Sequence, residues 1–222
     1  MGTAADPLAP RKRPVQRRST ATVDALHVAT IQVLTREGLA RCTTTRVAER
    51  AGMSVGSLYQ YYPNRDALLA DVLARHLDGV ADAVQRACDA KRGSPVADMA
   101  GALVTAIVAA KLRNPAESRA LYAVAAEHGG TELVARTQAR SVAAIAQMLA
   151  TAPDARIADP TATAVFVLNV LLGPIRALLE GHAPPAFAIT LDAELIWLLS
   201  GYLQADRGRQ DGPTQGADDR RP

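Results

Sequence analysis

The sequence predicts an all-α protein of about nine helices, and three observations carry that expectation. Hydrophobic residues make up 49% of the 222-residue chain, with alanine abundant, enough for a sizeable core of helix on helix. Apolar residues recur at spacings of three and four along most of the chain. No stretch alternates as a half-buried strand would, and the periodic segments are divided at Gly, Pro and Asn.

Residues 1–18 are rich in Pro, Ala and Arg without periodicity and read as a flexible basic arm. From Ser19 a helical pattern begins, with Val23, Leu26, Thr30, Val33 and Leu34 on one face and Gly38 as its C-terminal glycine. Thr43 is placed to cap a short second helix that ends near Ala51. Ser54 is placed to cap a third, which runs to about Tyr61 before Pro63 breaks it. Asn64 is placed to cap a fourth, whose stripe from Leu68 to Val84 carries it to about residue 90. Five more helices are expected at about 96–112, 116–127, 131–151, 160–181 and 188–204. The polar, Gly-rich end, residues 206–222, reads as a disordered tail.

The net charge is only +3, but its placement is uneven. Residues 11–75 carry eleven basic and five acidic side chains, whereas residues 76–222 carry fourteen and sixteen. A basic first third on a mildly acidic remainder suggests a head that binds a polyanion. The competing reading is a solvated basic tail. Two cysteines 46 positions apart make neither a disulfide framework nor a metal box, which fits a reducing, cytoplasmic setting. The apolar run AVFVLNVLLGPI, residues 164–175, is short of the roughly 20 residues that span a bilayer, so it reads as a buried core helix with no membrane role.

The second and third helices, joined by the tight turn AGMS, form a helix-turn-helix. The third would enter a DNA major groove, so its outer face needs small or hydrogen-bonding groups. That face offers Val55, Gly56, Ser57 and Gln60, with Leu58 turned inward. Gly56 admits close backbone approach, and the Gln60 amide can address a base edge. Three of the five tyrosines crowd into residues 59–62. Tyr59 and Tyr61 flank the recognition face with hydroxyls that reach phosphates, while Tyr62 is expected to lie in the core beneath it. Arg65 at the start of the fourth helix adds a charge to a natural phosphate seat, the competing role being a solvated helix start.

The stretch TTTRVAERAGMSVGSLYQYYPNRDALL, residues 43–69, resembles the TetR family of bacterial transcriptional regulators. About 50 residues, 20–69, carry the resemblance. It implies a helix-turn-helix head over residues 19–66 (motif about 43–62), joined by a long fourth helix to a ligand-binding and dimerisation domain over 67–205. It implies Thr43, Tyr59, Tyr61 and Arg65 on phosphates of double-stranded operator DNA. It places Thr44, Thr45, Gly56, Ser57 and Gln60 near base edges. Two positions depart from the usual pattern. Arg46 cannot close a capping box and is assigned a phosphate contact instead, and Val55 is assigned to a thymine methyl.

The helices at 160–181 and 188–204 hold more apolar surface than one core face needs. The resemblance implies a homodimer in which these two helices pair with their copies, through Phe166, Leu172, Leu191, Leu195, Leu198, Leu199 and Tyr202. The competing reading is an ordinary core. A pocket for a small, apolar effector is expected among helices four to eight, and polar residues in apolar surroundings point to Tyr122, His128, Asn169 and Arg176. Arg176 and Glu180 are four apart and can also simply pair. No metal-ligand spacing, Cys/His arrangement or phosphate loop is present, so no metal, cofactor or catalytic set is assigned. A ligand-released repressor is the leading expectation. The alternatives are a helical-bundle enzyme or carrier and a non-specific nucleic-acid binder, the latter opposed by the large acidic body.

Overall fold

The computed structural model describes residues 17–126 and 130–205. Among them are nine α-helices, one 3-10 turn and no strand. In chain order these are α1 (Arg17–Glu37), the 3-10 turn (Leu39–Arg41), α2 (Thr44–Arg50), α3 (Val55–Tyr59), α4 (Arg65–Ala90), α5 (Val96–Leu112), α6 (Pro115–Ala125), α7 (Gly130–Leu149), α8 (Pro160–Leu179) and α9 (Phe187–Ala205). The all-α expectation and the nine helices hold. The arm at 1–16, His128 and the tail at 206–222 lie outside the described residues.

Local chemistry sets the starts. The side chains of Thr43, Ser54 and Asn64 accept from the backbone N–H groups of Arg46, Ser57 and Ala67, satisfying donors that α2, α3 and α4 leave open. Asn114 and Asp159 cap α6 and α8, each followed by a proline whose missing N–H costs nothing there. Two boundaries differ from the sequence reading. Helix α1 begins at Arg17, because Arg17 and Arg18 are good helix formers and no Gly or Pro stands between Pro14 and Ser19. Helix α3 stops at Tyr59, two residues early, because Tyr62 turns into the core ahead of Pro63.

Two apolar clusters organise the molecule. The head cluster joins Leu26, Val33 and Leu34 of α1, Val47 and Ala48 of α2 and Leu58 of α3 to Leu68, Leu69 and Val72 of α4. Leu73 and Leu77 also belong to it, so the head's core reaches about three turns along α4 beyond residue 66, where the domain reading ended the head. Leu121 and Val124 of α6 complete the cluster from the far side. The body cluster takes Val84 and Cys88 at the other end of α4 and adds the inner faces of α5, α7, α8 and α9. With 26 residues, about 39 Å, α4 serves both clusters.

The α9 stripe corrects part of the dimer assignment. Leu191, Leu195 and Leu199 are buried, at 1%, 3% and 0% exposure, because spacing by four lays them on the face that packs along α5. The opposite face stays open: Trp197 is 76% exposed and Leu198 48%. Phe166 on α8 is 48% exposed and its ring lies 4.6 Å from that of the half-buried Tyr202. Leu172 is half-buried. Helix α8 is long and apolar enough to cross a membrane by length and composition alone. Seven of its residues, Thr163 to Leu179, are nonetheless buried in the protein, as the short apolar run suggested.

Candidate nucleic-acid interface

Helices α2 and α3 are held at an angle by Gly52, whose φ of 69° favours glycine, and by Met53 N–H donating to Ala48 O. The turn leaves Gly56, Tyr59 and Gln60 of α3 exposed, with Leu58 fully buried as its anchor. Val55, Ser57 and Tyr61 are half-buried, and Val55 and Tyr61 pack partly against the head core. The Ser57 hydroxyl lies 2.9 Å from that of the capping Ser54, so it faces its own turn first. The Tyr59 hydroxyl lies 3.2 Å from Thr44 Oγ1, tying the end of α3 to the start of α2. Thr43 caps α2, and Thr45 stands exposed on its first turn.

Two arginines are otherwise engaged than the sequence reading assigned. Arg46 pairs with Glu37 at the end of α1, so its charge is partly neutralised inside the head. Arg65 is half-buried, and its Nη2 donates to Leu39 O at 2.9 Å, pinning the 3-10 turn to α4. Its reach toward a phosphate is reduced accordingly. Arg50 donates to Gln32 Oε1 at 2.5 Å. Arg41 is exposed in the 3-10 turn, two residues before the α2 cap.

A polar knot fastens the head to α4 behind the interface. The buried Tyr62 donates its hydroxyl to Asp71 Oδ2 at 2.6 Å. His27 Nε2 stands 2.9 Å from the Tyr62 oxygen and 3.0 Å from the same carboxylate. Arg75 pairs with Asp24 and faces His27 Nδ1 at 3.4 Å. Burial alone would raise the Asp71 carboxyl, but the hydrogen bonds from His27 and Tyr62 outweigh it and leave it below the usual carboxylate range. Tyr62→Phe removes a bond from a buried hydroxyl to a charged, part-buried acceptor. It is expected to lower unfolding free energy by about 2 kcal/mol in urea titration, with no change in the m-value.

The assigned effector residues do not converge. Asn169 is exposed on α8, where its Nδ2 donates to Val165 O at 2.8 Å, four residues back along its own helix. Arg176 is exposed and donates to Glu180 Oε1 at 2.7 Å. Tyr122 is half-buried under two cations, Lys111 Nζ at 5.1 Å and the Arg176 guanidinium at 5.9 Å from the ring centre. The cavity lies elsewhere. It measures about 850 Å³ and opens between α1, α4, α5 and the start of α6, with none of these three residues in its wall. Among the described residues no group of His, Cys, Asp and Glu is arranged to hold a metal ion. The cysteines are buried, and burial pushes Cys42 up to about 11 and Cys88 up to about 12, so both stay protonated thiols at neutral pH.

Residues 26–72 match the family model for bacterial regulatory proteins of the tetR family, and residues 95–203 match that of a tetracyclin repressor-like C-terminal domain. Together these cover most of the chain. HTH-type transcriptional regulator BetI 1 of Chromohalobacter salexigens is 35% identical over 74 residues. That match spans 33% of this chain and 34% of the relative, about a third of its length. A tetR-family regulatory protein from Rhodococcus RHA1 superposes with a TM-score of 0.64 at 18% identity, over 82% of this chain and 96% of that one. SmeT, the repressor of the Stenotrophomonas maltophilia multidrug efflux pump SmeDEF, does so with a TM-score of 0.62 at 20% identity, over 80% and 87%. At such identities the structural likenesses speak for the fold. With the helix-turn-helix and the helical body matched in order along one chain, the protein belongs to the tetR family of bacterial regulatory proteins.

Proposed function

We propose that the protein is a cytoplasmic homodimeric repressor that binds a palindromic operator through α2 and α3 and is released from it by a small effector. One observation supports this most directly. Gly56 sits inside α3, where glycine costs roughly 0.5–1 kcal/mol relative to alanine. Neither backbone nor packing within the head requires it: its φ is not positive, and an added Cβ would meet only Ser54 Oγ at 3.7 Å. A glycine that the protein itself does not need suits an outside surface that must come close, such as the floor of a major groove. The exposed faces of Trp197, Leu198 and Phe166 supply apolar surface for a second copy, which would set two recognition helices about one DNA turn apart.

The test is titration of a palindromic fragment from upstream of the protein's own gene, with and without competitor DNA. Wild type should bind it selectively, and Gly56→Ala should bind at least about tenfold more weakly while melting at a higher temperature. Weakened binding with reduced stability, or unchanged binding, would remove Gly56 from the interface. Gln60→Ala should lose about 1–3 kcal/mol at one base pair per half-site, read by a panel of single-base operator variants. A uniform loss over the panel would place Gln60 on phosphate instead. Effector and DNA should antagonise each other by roughly 1–3 kcal/mol, since only a ligand that prefers badly spaced heads can release them.

A further inference from the structure

The 850 Å³ cavity spans the seam between head and body. Its inner walls are small: Gly79 and Ala83 of α4 and Ala106, Ala109 and Ala110 of α5 leave a trough, with Val28 of α1 at its rim and 54% exposed. Gly79 lies mid-helix, and a Cβ there would meet nothing within 4 Å, so the trough is open to it. Exposed cations stand in the wall at Arg113, near α6, and at Arg86, two turns beyond Gly79 on α4. Arg113 has no carboxylate partner among the described residues, and His76 stands beside it in the wall. Lys111, only 6% exposed, lies just behind, and it too has no carboxylate in ion-pair range among the described residues. The acids at this end are already occupied. Asp24 pairs with Arg75, and Glu117 accepts from Asn114 Nδ2 at 3.0 Å and stands 3.6 Å from His76 Nδ1.

We infer that this seam binds an amphipathic organic anion, its carboxylate beside Arg113 and His76 and its apolar body along the alanine trough. Charge complementarity selects the anion, and the trough selects the apolar body. The electrostatics agree. Burial first, then the charges of Lys111 and Arg113, push His76 down to about 4. The groups facing His76 are Lys111 and Arg113 from α5, Glu117 from α6, Arg75 on its own helix, and Asp24 and His27 across the seam on α1. The inference deepens the regulatory reading and rests on it for its consequence: an occupant touching α1 on one side and α4 and α5 on the other sets the angle of the head.

The probe is naphthalene-2-carboxylate, compared with its uncharged carboxamide, titrated into the full-length protein by calorimetry while the His76 ring proton is followed by NMR. The acid should bind about tenfold or more tightly than the amide and move the His76 titration midpoint upward. Arg113→Gln should cost the acid about tenfold and leave the amide unchanged. Gly79→Leu, whose side chain enters the open trough, should abolish both without loss of helical signal. Equal affinity for acid and amide, an unmoved His76, or undiminished binding to Gly79→Leu would each overturn the site. Operator binding is measured on the probe-free protein. Its absence would defeat the repressor reading while the charge-dependent binding still stood, so the two failures are told apart.

Discussion

Charging the open face of α8 and α9 is expected to separate the protein into monomers and to cost at least about 1,000-fold in operator affinity. Val165, Phe166 and Ile189 are 45%, 48% and 85% exposed, and Trp197 and Leu198 add the largest side chains. Large exposed apolar side chains on two neighbouring helices mark an interaction site, with aromatic residues as its usual anchors. Trp197→Glu with Leu198→Glu removes no core packing, because both side chains project away from the Leu191–Leu195–Leu199 stripe that α5 covers. Far-UV circular dichroism should therefore stay unchanged. Sedimentation should show one copy where wild type shows two, since an unpaired carboxylate buried against apolar surface is costly. Each head would then meet its half-site alone and lose the effective concentration that linkage gives, worth about 10²–10⁴. A double variant that still sediments as a dimer would place the interface elsewhere.

The second large effect is acid sensitivity from one histidine. His76 is 12% exposed, and its pKa is lowered from 6.5 to about 4 by burial, Lys111 and Arg113, which Glu117 at 3.6 Å does not offset. Between those two pH values the unfolded chain holds a proton that the folded chain does not, so stability falls as pH falls through that window. Full stabilisation is present above about 6.5. A shift of this size corresponds to about 3 kcal/mol lost by pH 4. Denaturant titrations at pH 7.5, 6 and 4.5 should show the slope, and His76→Gln should flatten it. Asp71, whose pKa is lowered, acts in the same direction but only below the ordinary carboxylate range. A slope confined to the region below that range would assign the acid response to Asp71 and leave His76 without a part in it.

The head was legible because its signals are local. Thr43, Ser54 and Asn64 each cap the helix that follows within three residues, and Pro63 and Gly52 mark breaks that no distant contact needs to explain. The exposed apolar face of α9 was half-legible. Helical phase separates Leu191, Leu195 and Leu199 from Trp197 and Leu198, but phase alone does not say which of two apolar faces another helix will cover. A pocket among helices four to eight was expected, and α4, α5 and α6 do line the cavity, but its α1 wall was not legible. Its trough comes from small residues on α4 and α5 that face α1 only in the folded chain, and small residues carry no polar flag. Asn169 carried such a flag but lies outside the cavity wall, its amide bonded to the carbonyl four residues back. The partners of Arg46 and Arg65 were also not legible: Glu37 and the Leu39 carbonyl reach them from α1 and the turn after it.

Leu121 and Val124 of α6 sit in the same cluster as Leu26 and Val72. The reading head is therefore not a detachable cartridge. A chimera that grafts α1 to α4 onto another regulator's body would leave a hole where α6 presses in, and loss of a large buried apolar side chain typically costs 2–5 kcal/mol. Exchanging specificity between such proteins then means transplanting α6 along with the recognition helix, or recutting the socket that receives it.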